Sequence, residues 1–227
     1  MADFELRLDP APGDQHEEEL VVVRGGREER MRLHEYGRVY SIPGLYEEVL
    51  RRVEYASPAK VAELLFDAAF AEETRALDLA AGNGVSADPL REGGIGGLVG
   101  MDLIPEARDA ALRDRPSAYA EFVAGDMGEP GLVAGLVERH ELNALVCSGG
   151  ISHIPVEAFD VGWSAFPAGS WLVATAREDL MDPDQGPYGG YFPGRLDDVH
   201  TERFVHRLSF SGEPIEYTAL RGRKPPG

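Results

Sequence analysis

The feature that most constrains the fold is a repeated alternation of short apolar runs with helical stretches. Five runs have the length and composition of buried strands: Ala76–Leu79, Gly97–Met101, Glu121–Val123, Leu142–Cys147 and Trp171–Ala174. Strands that alternate with helices in this rhythm form a parallel sheet with helices on both faces. The pattern therefore predicts an α/β fold with a doubly wound, mostly parallel sheet.

The C-terminal end of the chain departs from this rhythm. Phe204–Phe210 and Ile215–Arg223 are both strand-like, and only the turn residues Ser211–Pro214 separate them. Strands joined so tightly run antiparallel. An antiparallel C-terminal hairpin is therefore expected to close the sheet.

The N-terminal end predicts a different appendage. Phe4–Leu8 and Leu20–Val23 alternate with period two, and Gly25-Gly26 separates the second run from Arg30–Leu33. A glycine pair between alternating segments is a tight-turn signal. Residues 1–35 are expected to form an accessory N-terminal β-hairpin.

A helical cap is expected to follow this hairpin. The segment Tyr36–Ala56 combines a loop at Pro43-Gly44 with an amphipathic helical pattern. Ser57-Pro58 has the form of an N-cap with proline in the first turn, which predicts a second helix through about Phe70.

Composition narrows the classes of partner. The chain has 227 residues, a net charge of -18 and one cysteine, Cys147. The charge disfavours nucleic acid, and the lone cysteine suits a reducing compartment. The sequence has neither a long apolar run nor a basic, apolar leader. We expect a cytoplasmic protein with a small-molecule partner, and no membrane or nucleic-acid partner.

A ligand-binding pattern follows the first parallel strand. The stretch Ala76–Gly84 runs from apolar residues into small ones, and small residues let the backbone approach a ligand closely. Asp102 and Asp126 end the next two strands. Ligands of open α/β sheets bind at the carboxyl ends of strands, so these three segments are predicted to meet at one crevice.

These segments resemble the class I S-adenosylmethionine-dependent methyltransferases, which have a Rossmann-like fold. LDLAAGNG is similar to the first motif of that family, GLVGMDLIPEAR to its second strand and VAGDM to its third motif. The resemblance covers roughly Tyr36 to Lys224 and implies a methyltransferase domain over residues 36–227. Ala80 stands where the family usually has its first glycine.

The resemblance also implies S-adenosylmethionine as the cofactor and a role for each site residue. Asp78 and the Gly82–Gly84 loop would hold the methionine end, and Asp102 the ribose hydroxyls. Asp126 and Met127 would contact the adenine. The complete set of cofactor-binding residues that we predict is Tyr40, Asp78, Ala80, Gly82, Gly84, Asp102, Leu103, Asp126, Met127 and Ser148.

Two other functions are compatible with the sequence. Gly82–Ala87 also satisfies a relaxed dinucleotide fingerprint, which would indicate an NAD-dependent oxidoreductase. The Tyr and Lys pair of short-chain dehydrogenases is missing, because the two lysines, Lys60 and Lys224, are preceded at that spacing by Ala56 and Leu220. A non-catalytic or cyclase-like S-adenosylmethionine-binding protein is the other alternative.

The acceptor side is less defined. His153 follows the fourth strand and is either a general base for O- or N-methylation of a small molecule or a capping residue.

Other segments could contribute to the site or only to the fold. The glycine-rich, aromatic segment Gly186–Phe192 is either a mobile substrate loop or a surface connection, and His206 is expected to be structural. We predict no metal site, and a homodimer through the exposed hairpin remains open. The aromatic residues that form either a lid over the cofactor or internal packing are Tyr36, Tyr40 and Tyr46.

Overall fold

A computed structural model describes residues 4–10, 17–182 and 184–226. In these ranges the strands form one three-stranded and one seven-stranded sheet. Their bounds are β1 (Glu5–Asp9), β2 (Glu19–Arg24), β3 (Arg27–Arg32), β4 (Arg75–Leu79), β5 (Gly97–Asp102), β6 (Glu121–Ala124), β7 (Ala144–Ser148), β8 (Trp171–Arg177), β9 (Asp197–Leu208) and β10 (Pro214–Arg223).

The large sheet confirms the predicted topology. Its strand order is β6-β5-β4-β7-β8-β10-β9. Strands β4 to β8 pair in parallel, whereas β10 pairs antiparallel with both β8 and β9. From β4 the chain adds β5 and β6 on one side, and it then adds β7 and β8 on the other side of β4. Such a switch point leaves a crevice above the carboxyl ends of the two adjacent strands, here β4 and β7.

The helices cover both faces of this sheet. Ala76 and Leu77 alternate along β4 and belong to two separate hydrophobic clusters, one on each face. Among the described residues, no helix has both the length and the hydropathy to span a bilayer. The helix bounds are α1 (Tyr36–Ser41), α2 (Leu45–Arg52), α3 (Ser57–Phe66), α4 (Ala87–Glu92), α5 (Pro105–Asp114), α6 (Leu132–His140), α7 (Val156–Ser164), α8 (Glu178–Met181) and α9 (Pro187–Tyr191).

The N-terminal hairpin is present and has a third strand. β2 pairs antiparallel with both β3 and β1, and Leu6 of β1 lies opposite Val22. Burial of Leu6 against this pair explains why β1 joins the sheet. Side chains of the sheet and of α1 and α2, among them Leu20 and Val39, form one hydrophobic cluster. The cluster is continuous across residue 35, and a domain boundary there stays a prediction.

Two local expectations were wrong. Ser57 is not the N-cap of α3, because Ala56 occupies that position and the Ser57 hydroxyl instead lies 2.7 Å from Nδ1 of His206. The segment Gly186–Phe192 is not an exposed loop. Its central residues form α9, and Tyr188 is 1% exposed and packs edge-on against Phe159. Burial of these aromatic side chains outweighs the loop-forming tendency of the glycines.

Candidate functional site

A cavity of about 380 Å³ lies above the carboxyl ends of the parallel strands and beneath α1 and α2. Its size falls within the range typical of small-molecule sites. His153 and seven of the ten predicted cofactor-binding residues line it, although the binding role of each remains a prediction. The seven are Tyr40, Ala80, Asp102, Leu103, Asp126, Met127 and Ser148.

The other three predicted residues, Asp78, Gly82 and Gly84, lie beside the cavity without lining it. Asp78 is completely buried, and its Oδ2 accepts a hydrogen bond of 2.7 Å from the Tyr119 hydroxyl. Its Oδ1 has no partner among the described residues. Burial raises the pKa of Asp78 to about 7, against the lowering effect of the Tyr119 hydrogen bond.

The Asp102 carboxylate is held in one orientation by the backbone. Gly82 N–H donates to Oδ2 at 2.8 Å, and Ile104 N–H donates to Oδ1 at 2.9 Å. Burial raises the pKa of Asp102, while these backbone hydrogen bonds lower it. A carboxylate oxygen can accept more than one hydrogen bond, so both oxygens of Asp102 retain capacity for a ligand.

Ala80 has an unusual backbone conformation for a residue with a side chain. Its φ is 55°, in the left-handed region, which costs roughly 1–2 kcal/mol for an L-residue. A Cβ on Gly150 would lie 2.4 Å from the Cβ of Ala80. The glycine at position 150 therefore makes room for the methyl group that this chain carries at position 80.

The helical cap is attached directly to the glycine loop. A Cβ on Gly82 would lie 2.7 Å from the Tyr40 hydroxyl, so α1 sits against the loop backbone. Arg115 forms salt bridges with Glu47 of α2 and with Asp88 of α4. Glu47 also accepts a hydrogen bond of 3.0 Å from the Asn83 side chain. These contacts tie the cap to the loop that the sequence assigned to the cofactor.

Aromatic and histidine rings line the part of the cavity near His153. The His153 ring lies 5.8 Å from the Tyr36 ring in an edge-on arrangement and 5.9 Å from the His34 ring. Tyr36 in turn stacks at 5.9 Å on Tyr40. The tyrosines of the cap therefore do pack together, and they cover the cavity at the same time.

Several cavity residues were missed by sequence reasoning. Tyr55, Arg207 and Tyr217 line the cavity, and so does His206, which was expected to be structural. None of them follows a parallel strand, which was the signal used. Neither the residues before α3 nor the alternating pattern of β9 and β10 has a sequence feature that indicates a ligand site. Among the described residues, no group of His, Cys, Asp and Glu is arranged to hold a metal ion.

Comparison with solved structures shows that the chain shares the fold of class I S-adenosylmethionine-dependent methyltransferases. The chain is similar to the N-methyltransferase NodS from Bradyrhizobium japonicum in complex with S-adenosyl-L-homocysteine. The identity is 12%, the TM-score is 0.58, and the match covers 85% of this chain and 97% of that one.

It is also similar to a SAM-dependent methyltransferase from Anabaena variabilis, with 15% identity and a TM-score of 0.57. That match covers 74% of this chain and 85% of the other. No protein-family model and no curated protein sequence matches the chain. At such identities the likeness establishes the fold.

Proposed function

We propose that this chain is an S-adenosylmethionine-dependent methyltransferase that modifies a small-molecule acceptor by O- or N-methylation. The observation that carries the proposal is a single cavity that joins the Asp102 carboxylate to the ring of His153. It lies where ligands bind in sheets of this topology. The neighbours of known activity, including a protein solved with S-adenosyl-L-homocysteine, support the same cofactor.

The residues present fit this cofactor. Two buried polar atoms, Oδ1 of Asp78 and Oγ of Ser148, have no partner among the described residues. Unpaired buried polar atoms are costly. Ser148 lines the cavity and favours a ligand with a hydrogen-bonding group there, and Asp78, just beyond the cavity wall, favours a donor such as an α-amino group nearby. Asp102 suits the donors of a ribose diol. Leu103, which is 68% exposed, offers an apolar surface to adenine.

The chain's own residues then have distinct tasks in methyl transfer. When bound, S-adenosylmethionine supplies an electrophilic methyl group. Asp102 orients the cofactor, and the tyrosines of the cap exclude water from the cavity. His153 takes a proton from the acceptor oxygen or nitrogen. Alignment of the two reactants supplies much of the rate in such displacements.

A small molecule is favoured over a nucleic acid as the acceptor. The net charge of -18 opposes the approach of a phosphate backbone. The side chains of α1 and α2 that line the cavity are aromatic or apolar rather than basic. We place the protein in the cytoplasm as part of this proposal.

Cofactor choice is the first test. In titration calorimetry we expect S-adenosyl-L-homocysteine to bind and NAD to give no measurable heat, because the Asp102 carboxylate and the unpaired Asp78 oxygen suit a ribose and an ammonium group. Tight binding of NAD with no response to S-adenosyl-L-homocysteine would indicate an oxidoreductase. A protein that binds S-adenosylmethionine but never releases S-adenosyl-L-homocysteine across an acceptor screen would be a non-catalytic relative.

Asp102→Ala is the second test. We expect it to weaken S-adenosyl-L-homocysteine binding by roughly 10- to 150-fold, the effect of losing hydrogen bonds to a charged group. We also expect a lower melting temperature of the free protein, because the variant leaves the N–H groups of Gly82 and Ile104 without their acceptor.

Asp109→Ala is the matched control for this variant. Asp109 lies on α5 with its side chain 67% exposed, so neither affinity nor melting temperature should change. Unchanged affinity in Asp102→Ala, measured on folded protein, would exclude the ribose role.

A further inference from the structure

The ring of His206 is fixed on the cavity wall by its aromatic neighbours. It is 5% exposed and stacks on Tyr217 with ring centroids 3.6 Å apart and planes 2° from parallel. Tyr55 meets it edge-on at 5.0 Å. The Tyr55 hydroxyl itself donates to the carbonyl oxygen of Ser148 at 2.6 Å. These contacts fix the plane of the imidazole ring.

A chain of hydrogen bonds determines which ring nitrogen carries the proton. Gly149 N–H donates to Oγ1 of Thr175 at 2.8 Å, and the Thr175 hydroxyl donates to Oγ of Ser57 at 3.0 Å. Ser57 Oγ lies 2.7 Å from Nδ1 of His206. In this direction every hydroxyl hydrogen has an acceptor, and Nδ1 accepts the last one. The reverse direction would leave the buried Thr175 hydrogen without an acceptor in this chain of bonds.

The other ring nitrogen opens onto the cavity. Nε2 of His206 makes no hydrogen bond to any described residue, and it is not among the buried atoms that lack partners. A Cβ on Gly149 would lie 3.1 Å from Cε1 of the same ring, so the glycine keeps this side of the imidazole open. With Nδ1 as an acceptor, the neutral ring carries its hydrogen on Nε2.

The ring stays neutral over the ordinary pH range. Burial lowers the pKa of His206 to about 3, and the neighbouring Arg207 guanidinium adds to this effect. Such an imidazole does not act as a general base at neutral pH. It offers one directed N–H group.

His206 lies at the end of the cavity that we assign to the acceptor, away from the predicted cofactor-binding acids. Asp102 ends β5 and Asp126 follows β6 on one side of the sheet, whereas His206 and Tyr217 lie on β9 and β10 at the opposite edge. The cavity extends between the two sides.

We propose that His206 is a fixed hydrogen-bond donor that binds an oxygen atom of the acceptor through Nε2–H. The rings of Tyr55 and Tyr217 beside it favour an aromatic acceptor with a carbonyl or phenolic oxygen. The assignment of this end of the cavity to the acceptor rests on the proposed methyltransferase function.

The tautomer is tested by NMR on the wild-type protein labelled with ¹⁵N at histidine. We expect the His206 signals at neutral pH to show a proton on Nε2 and none on Nδ1. A proton on Nδ1, or on both nitrogens, would overturn the proposal. This measurement needs no variant, and it stands even if His206→Phe does not fold.

The ligand class is tested with acetophenone and ethylbenzene, which have similar size and differ in the carbonyl oxygen. His206→Phe retains a ring beside Tyr217 and removes the donor. We expect it to weaken acetophenone binding relative to ethylbenzene by roughly 2- to 12-fold, the effect of one net hydrogen bond. His200→Ala, an exposed site on the same strand, should leave the ratio unchanged.

Ligand-observed NMR with saturating S-adenosyl-L-homocysteine separates the two proposals. An unchanged ratio in His206→Phe, or binding of neither probe to the wild type, would overturn the role of His206 while cofactor binding persists. Failure of S-adenosyl-L-homocysteine to bind would count against the methyltransferase function and leave the tautomer result intact.

Discussion

Asp78→Asn is expected to raise the free energy of unfolding by about 4 kcal/mol at a pH above 7. In the folded protein burial raises the pKa of Asp78 to about 7, whereas an unfolded chain has an ordinary value near about 4. Each intervening pH unit corresponds to about 1.4 kcal/mol. Asparagine has no charge to bury, and its side-chain oxygen still accepts the Tyr119 hydrogen bond. Chemical denaturation of the free protein across this pH range measures the effect.

The sign follows from proton binding. The folded state holds the Asp78 proton more tightly than the unfolded state does, so this group disfavours folding increasingly as pH rises from about 4 to about 7. Above that window the penalty is constant, and below it the penalty is absent. The stability difference between variant and wild type should therefore grow across the window and then level off.

Asp67→Asn is the control, because Asp67 is exposed near the end of α3 and its substitution should leave the pH profile unchanged. The stability gain in Asp78→Asn should be accompanied by weaker S-adenosyl-L-homocysteine binding, since the variant lacks the unpaired carboxylate. A difference in stability that is flat with pH would mean that Asp78 is ionised throughout. Undiminished affinity would remove it from the cofactor site.

His153→Ala is expected to lower turnover on the true acceptor by roughly 10²- to 10⁴-fold, the contribution of a positioned general base. His153 lines the cavity at the end of the turn after β7, with the rings of His34 and Tyr36 beside it. His153 follows β7 whereas Asp102 ends β5, so we expect cofactor affinity to remain nearly intact. Turnover is measured as release of S-adenosyl-L-homocysteine.

The control is again His200→Ala, which changes an exposed histidine of β9 and should keep wild-type turnover. Full turnover in His153→Ala would make His153 a packing residue, and the enzyme would then act by alignment of its substrates alone. Loss of cofactor affinity together with turnover would instead indicate a structural defect in the β7 turn.

The sequence by itself determined the parallel sheet, its antiparallel closure and the acids at the strand ends. These features have local signatures. A strand buried on both faces is largely apolar, as around Leu77 in β4 and Leu145 in β7. Asp102 ends such a strand, and Asp126 lies two residues after β6. The glycine pair before β3 likewise predicts its turn without reference to the rest of the chain.

Only the tertiary structure decided which distant residues meet. The pairing of Asp78 with Tyr119, the space at Gly150 for the methyl group of Ala80, and the bond between Ser57 and His206 each join segments that are far apart in sequence. The burial of α9 is of the same kind, because its aromatic side chains find their partners on α7. The local sequence indicates which residues can be buried or hydrogen-bonded. Packing against remote segments determines which of them are, and therefore which polar atoms remain available to a ligand.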